Sequence, residues 1–261
     1  VLQRAIFTSN GAYNFPNVVV RGRAVATSTV PSGAFRGFGA PQAIYAMEMH
    51  MERVAREYGR SPLELRRGYF LKQGDPTITG GRIREGVIIQ DLVSKAVELS
   101  EFEAKRSRYA GEKWKGIGMA LFNHGCGFTG SGEADIIKAR VKLHKDEHDE
   151  VQILIAAVDM GQGPKTTIRK VVADVLQMPI GKVHYPNPDT KHVPDSGPTV
   201  ASRTAMIVGG LCARAAKQLK DEFKAGESQT VYEQYVQPEG IKWDDETMQG
   251  DAYPAYSWGV N

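Results

Sequence analysis

The sequence repeats one construction: a stretch rich in β-branched residues, then a turn rich in glycine or small residues, then the start of a helix. It occurs near residues 37, 162 and 200. Glycine admits positive φ and lets the backbone come close to a bound group, while the first N–H groups of a helix have no partner within that helix. A chain built this way collects backbone donors at helix starts, where an anionic or oxygen-rich cofactor can be held. The densest instance is Ala34-Phe35-Arg36-Gly37-Phe38-Gly39-Ala40-Pro41-Gln42. Pro41 suits a first helical turn, and Phe35, Arg36 and Phe38 add ring faces and a cation. Two further loops are Gly125-Cys126-Gly127-Phe128-Thr129-Gly130-Ser131-Gly132-Glu133 and Asp159-Met160-Gly161-Gln162-Gly163. None is a nucleotide loop: GxxxxGK[ST] is absent, and Gly37-Phe38-Gly39 lacks the third glycine of a dinucleotide fingerprint.

Around these loops, periodicity predicts an α+β fold of mixed sheets with packed helices. Residues 17–27, rich in valine, read as one or two short strands. Ile44, Met47, Met51, Val54 and Ala55 recur at helical spacing over residues 41–58, a helix that Gly59 ends. The two methionines read as core filling rather than metal ligands. Ser61-Pro62-Leu63-Glu64 has the form of a capping box opening a short helix to about Lys72. A loop over residues 74–86 leads to a helix over 89–109, with Leu92, Val93, Ala96, Val97 and Leu99 inward. Residues 114–122 are strand-like. Residues 134–143 and 151–158 read as strands joined across the charged turn Lys145-Asp146-Glu147-His148-Asp149. A helix over 164–176, a short strand over 182–185 and an irregular run over 187–198 follow. Thr199 or Ser202 then caps a long helix with Met206, Ile207, Val208, Leu211 and Ala215 along one side. The final segment, with Trp243, Tyr253 and Trp258, reads as strand.

Composition removes several alternatives. With 41% hydrophobic and 24% charged residues the chain is globular rather than disordered. A net charge of +3 gives no general reason to expect nucleic acid or a membrane surface, and no apolar run approaches a membrane span. Cys126 and Cys212 are too few for a disulfide framework, a zinc site or an iron–sulfur site, and they favour a reducing compartment, the cytoplasm. Ser131 lies in Gly130-Ser131-Gly132 rather than a GxSxG elbow. His124 reads as structural, and His144 and His148 as exposed on a hairpin tip. Glu133 and Asp135 could form an acid/base pair, but alternation along a strand would set them on opposite faces. The chain begins at Val1 in what reads as a loop and stops in what reads as a strand, as an excerpt of a longer polypeptide would. What remains is backbone donors, the Gln162 amide, the Arg36 guanidinium and aromatic rings. That set suits a large polar cofactor and a flat aromatic substrate better than hydrolysis.

Phe35-Arg36-Gly37-Phe38-Gly39-Ala40-Pro41-Gln42, Gly127-Phe128-Thr129-Gly130-Ser131-Gly132-Glu133, Asp159-Met160-Gly161-Gln162-Gly163 and Pro198-Thr199-Val200-Ala201-Ser202 occur in this order. Together they resemble the molybdenum cofactor-binding subunit of the xanthine dehydrogenase / aldehyde oxidase family, the molybdenum hydroxylases, over nearly all of the chain. The resemblance implies an excerpt of a larger molybdopterin-binding catalytic domain. Residues 1–75 would end a first cofactor-binding subdomain and residues 76–261 begin a second. It implies a molybdenum–molybdopterin cofactor, with the cytosine dinucleotide form as one option, whose metal is held by the pterin dithiolene and by no protein ligand. Arg36 would lie beside the metal centre. Met160, Gly161 and Gln162 would contact the cofactor, and Ala201, Ser202, Arg203 and Thr204 would supply donors to it and its phosphate. Where relatives usually have two alanines, this chain has Val200-Ala201.

Phe38 and Phe128 would be aromatic walls around a planar heterocycle, with Thr129 beside it. The implied reaction is hydroxylation of an electron-poor carbon with oxygen from water, by a molybdopterin-dependent oxidoreductase acting on a purine-like or other N-heteroaromatic substrate. Electrons would leave through [2Fe-2S] clusters and FAD on partner domains or subunits. An aldehyde oxidase-like substrate is the alternative, and a non-catalytic scaffold that kept the fold is another. The glutamate base of the family would lie outside this chain, so no catalytic residue is assigned here and the excerpt alone is expected to be inactive.

Overall fold

The computed structural model describes residues 1–33 and 35–261; Ala34, the first residue of the glycine–aromatic stretch, lies outside the described residues. In chain order the first elements are α1 (Leu2–Phe7), α2 (Ala40–Glu57), α3 (Pro62–Arg67), α4 (Ile89–Ser100), α5 (Phe102–Tyr109) and β1 (Leu121–Cys126). A π-helical turn (Gly132–Ile137) precedes β2 (Arg140–Lys145), β3 (Val151–Leu154), α6 (Pro164–Leu176) and β4 (Val183–His184). A second π-helical turn (Thr204–Val208) runs into α7 (Gly209–Asp221), followed by β5 (Gln229–Gln234), β6 (Trp243–Asp244), β7 (Gln249–Gly250) and β8 (Ala255–Val260). The chain divides into two units, Val1–Gly125 with Glu246–Asn261, and Cys126–Asp245.

The second unit is built on a four-stranded sheet in the order β4-β3-β2-β5. β2 and β3 form an antiparallel hairpin with Lys145 opposite Val151 and Lys142 opposite Leu154. β5 pairs antiparallel with the other edge of β2, and β4 runs parallel to β3. A parallel neighbour requires a crossover, and α6 supplies it. Alternation along the strands turns Val141, Leu143, Val151 and Ile153 to one face, where they join Ile168 and Val172 of α6 and Leu211, Ala215 and Leu219 of α7 in one core. Fully burying a leucine or isoleucine there contributes about 1.5–3 kcal/mol.

Alternation also buries Lys145, whose exposure is 0%. Its ammonium donates to Asp149 Oδ1 at 2.6 Å and to the carbonyls of Glu227 at 2.7 Å and Lys224 at 2.9 Å. The Phe223 ring centroid lies 4.7 Å away. The hairpin turn is thereby stitched to the connection between α7 and β5.

In the first unit, Met51 and Ala55 of α2 rest on Tyr13, Leu63, Leu65, Phe70, Ile89, Val93 and Leu121. A polar chain crosses this core. Arg66 Nε meets Glu48 at 3.1 Å, Arg66 Nη1 meets Glu52 at 3.2 Å, and Arg106 closes on Glu52 at 2.7 Å. The Tyr13 hydroxyl donates to Glu48, and burial followed by the Glu48 charge drives the Tyr13 pKa upward. β8 pairs with β1. Gly125 lies flat against Tyr253: a Cβ there would fall 2.0 Å from the ring.

Several boundaries differ from the sequence reading. Residues 17–27 form no strand; they have no regular secondary structure and are almost wholly exposed, because β-branching favours an extended backbone but a strand needs a ladder partner, and none exists among the described residues. The helix opened by Ser61 stops at Arg67, although Ser61 does accept from the Glu64 N–H at 3.5 Å. The helix over 89–109 is two, broken at Glu101 with φ 52°. Strand β1 starts seven residues later than expected, after an exposed Trp114 with φ 70°. The first half of the strand expected over 134–143 is the π-helical turn. The ladder of β3 ends at Leu154 rather than Val158.

Candidate cofactor site

Because β2 and β3 are antiparallel, the chain entering β2 and the chain leaving β3 meet at one end of the sheet. The run before the second π-helical turn joins them there through hydroxyl groups that continue the ladder. Ser196 Oγ accepts from the Ala156 N–H at 3.0 Å and donates to the Arg140 carbonyl at 2.8 Å. Thr199 Oγ1 accepts from the Val158 N–H at 3.0 Å. Gly127 N–H donates to the Ala201 carbonyl at 3.0 Å. Three loops, residues 126–131, 158–163 and 198–203, are thus bound to one another within the second unit.

Each loop has its own local logic. In residues 158–163, Asp159 Oδ1 accepts from Gly161 N–H at 2.9 Å and Gly163 N–H at 3.4 Å, an Asx-type turn. Gln162 folds back, accepting from Met160 N–H at 2.7 Å and donating to the Val158 carbonyl at 3.0 Å. Gly161 and Gly163 have φ of +101° and +75°, and Met160 is 70% exposed at the tip. α6 begins immediately afterwards, with Pro164 in its first turn and no acidic residue there. In residues 198–203, Ala201 and Ser202 both adopt the left-handed region, φ 54° and 55°. That conformation costs roughly 1–2 kcal/mol per non-glycine residue, so the surroundings hold it. The helix starts at Thr204 with Arg203 as its N-cap; neither Thr199 nor Ser202 caps it, since Thr199 is bonded to Val158.

Arg203 is fully buried. Its Nε and Nη2 grip Glu133 in a two-pronged pair at 2.7 and 3.0 Å. Its Nη1 donates to the carbonyls of Ser196 at 2.8 Å and Pro198 at 3.0 Å. Glu133 is only 3% exposed and sits in the π-helical turn that follows Phe128 and Thr129, both half-buried. Glu133 and Asp135 are therefore no acid/base pair: one is locked in a buried ion pair, the other is exposed. The ion pair spans 70 residues of sequence, and neither partner carries a local signal of it.

In the first unit, Gly37, Phe38 and Gly39 have φ of +87°, +49° and +102°. A Cβ on Gly37 would meet the Pro41 ring at 2.5 Å, and one on Gly39 the Val1 carbonyl at 2.4 Å. This tight turn leaves the Phe38 ring 43% exposed and Arg36 exposed beside it. His124, on β1, is half-buried; burial first, then the nearby Arg4 charge, hold its pKa below the ordinary histidine value. Both cysteines are buried, and burial pushes the Cys212 thiol up to about 12. Among the described residues no group of His, Cys, Asp or Glu is disposed to hold a metal ion, and no helix is long and apolar enough to cross a membrane.

The second unit suits an oxygen-rich anionic cofactor. Two helix starts with no acidic residue in the first turn lie at the same sheet end, while the Gly161 and Gly163 N–H groups are already taken up by Asp159 and shape the loop.

Sequence comparison gives the same answer. Two sequence profiles, both described as molybdopterin cofactor-binding domain, match residues 1–70 and 92–260. The mouse (Mus musculus) xanthine dehydrogenase/oxidase is 27% identical over the whole chain, which spans 21% of that relative. An aldehyde oxidoreductase of Megalodesulfovibrio gigas is 29% identical over 99% of this chain and 30% of its own length. The solved aldehyde oxidoreductase from Desulfovibrio desulfuricans matches with a TM-score of 0.81 over 98% of this chain and 30% of its own, at 23% identity, a likeness of fold. The chain therefore spans less than a third of the relatives it matches. By the match over residues 92–260, it belongs to the molybdopterin cofactor-binding domain family.

Proposed function

We propose that this chain is a cofactor-binding part of the catalytic subunit of a molybdenum hydroxylase whose substrate is a purine-like or other N-heteroaromatic ring. The observation that carries the reading is the union of residues 126–131, 158–163 and 198–203 at one sheet end, in a chain of this family. When bound, the molybdenum cofactor supplies the two-electron chemistry by which carbon is hydroxylated with oxygen from water. In this reading Met160, Gly161 and Gln162 line the cofactor as a loop held in shape by Asp159, the Gln162 amide and the Val158 carbonyl, and Ala201, Ser202, Arg203 and Thr204 meet it at the helix start. Arg203 acts by fixing the turn, because its side chain is committed to Glu133 and its N–H to the Val200 carbonyl. Arg36 is assigned to the cofactor, and Phe38, Phe128 and Thr129 to the substrate, on the family resemblance. The half-exposed Phe38 ring supports its assignment, since an aromatic face left open can stack on a planar guest. The general base, the [2Fe-2S] clusters and the FAD belong to other parts of the subunit or to partner subunits, and residues 1–75 and 76–261 to two cofactor-binding subdomains.

The aldehyde oxidoreductase relative supports a second reading, in which the substrate is an aldehyde. Elemental analysis and a visible spectrum of the full assembly test the enzyme; an assembly purified from its native host without molybdenum would overturn both readings. Turnover of hypoxanthine, xanthine, nicotinate and simple aldehydes separates them. Phe38→Ala is expected to lower kcat/KM for the heteroaromatic up to about tenfold, the value of about 1.4 kcal/mol of stacking. It should leave a small aldehyde nearly unaffected, and equal losses on both would remove the stacking role.

A further inference from the structure

We infer that Glu133 and Arg203 are a positioning pair for the cofactor: a buried two-pronged ion pair that sets the distance between the Phe128–Thr129 loop and the Ala201–Thr204 turn. The inference deepens the reading above and rests on it.

Neither group faces the solvent, at 3% and 0% exposure. A buried ion pair is often no better for stability than apolar residues of the same volume, because both charges must be stripped of water. What the guanidinium fork adds is fixed direction and distance. Here that fork reaches each segment the reading needs. Two of its nitrogens hold Glu133, four residues after Thr129, and the third holds the carbonyls of Ser196 and Pro198. Ser196 in turn bridges Ala156 and Arg140, tying the same grip to the chain that leaves β3.

The local backbone agrees. Ala201 and Ser202 are consecutive non-glycine residues in the left-handed region, directly before Arg203. The two π-helical turns begin next to the pair, one with Glu133 in its first turn and one immediately after Arg203; such turns are rare and often occur at functional sites. Gly197 leaves the space the fork occupies: with φ of +75°, its Cβ would stand 3.0 Å from both terminal nitrogens of Arg203 and 2.4 Å from Ile137.

The test uses the full assembly that contains this chain, wild type beside the double variant Glu133→Leu/Arg203→Met and the single variant Arg203→Lys. The double variant removes both charges while keeping volume, and Arg203→Lys keeps the charge without the fork. Molybdenum and pterin per protomer, the rate of pterin release on dilution, and the melting temperature of cofactor-free protein are measured. The double variant is expected to fold but to melt below wild type, since the Ser196 and Pro198 carbonyls lose their donor, and to hold at least fivefold less pterin and release it at least tenfold faster. A folded double variant that keeps wild-type pterin content and release would overturn the inference. Should it fail to fold, Arg203→Lys carries the same comparison, and its wild-type retention would overturn the inference equally. A wild-type assembly without pterin overturns the cofactor reading and this inference together; pterin held alike by wild type and variants overturns the inference alone.

Discussion

Gly125 shows how a single missing methyl group can decide a local structure. It lies at the end of β1 with the Tyr253 ring 2.0 Å from where a Cβ would stand, and the Arg4 guanidinium rests 4.4 Å from the centroid of that ring while donating to the Gly125 carbonyl. Any side chain must push out the ring that the arginine holds. Gly125→Ala is accordingly expected to cost about 1–3 kcal/mol, the usual scale of overpacking, read as a lower urea midpoint with unchanged slope. Gly127, two residues on, has φ of +97°, and its requirement is conformational instead. The sequence displays both as members of one glycine-rich run and does not distinguish them. Close approach to an aromatic ring more than a hundred residues away leaves no local mark.

Lys145 makes the corresponding point for an element. Period-two alternation puts it on the buried face of β2, where a lysine is unexpected, and its ammonium satisfies two backbone carbonyls and Asp149 at the hairpin tip. Lys145→Met keeps the volume and strands those acceptors. It is expected to destabilise the second unit by at least about 2 kcal/mol, at about 1–3 kcal/mol for each of the two carbonyls left unpaired, measurable by calorimetry. The helices α2 and α6 and the β2–β3 hairpin were legible because their apolar periods and turn residues are local. The breaks were not. Glu101 carries no sign of left-handed backbone, so α4 and α5 read as one helix. The π-helical turn at Gly132–Ile137 reads as strand because Glu133 and Asp135 alternate with small and apolar residues. In the site, the glycines and the order of the motifs were readable, while the Arg203–Glu133 bond that joins the loops was not, since only the folded chain brings those residues together.

At the scale of the whole molecule the clearest solution property is a pH dependence in the first unit. Burial and then Arg4 depress the His124 pKa below the ordinary value near 6.5. As pH falls, the unfolded chain takes up that proton before the folded one, so unfolding gains. The contribution is fully present above the unfolded pKa and is lost as pH drops toward the folded pKa. Melting temperatures at pH 7.5 and 5.5 should therefore fall less in His124→Gln than in wild type, and an identical fall in both would exclude the histidine. The turn Thr204–Val208 has a consequence of another kind. A π-helical turn is an α-helix with one residue too many, and each residue of an α-helix advances the chain by about 100°. Deleting any one residue between 204 and 208 would keep the segment helical while swinging Ala201, Ser202 and Arg203 about a quarter-turn around the axis of α7. The number of residues there, more than their chemistry, sets the bearing of the turn at 201–203.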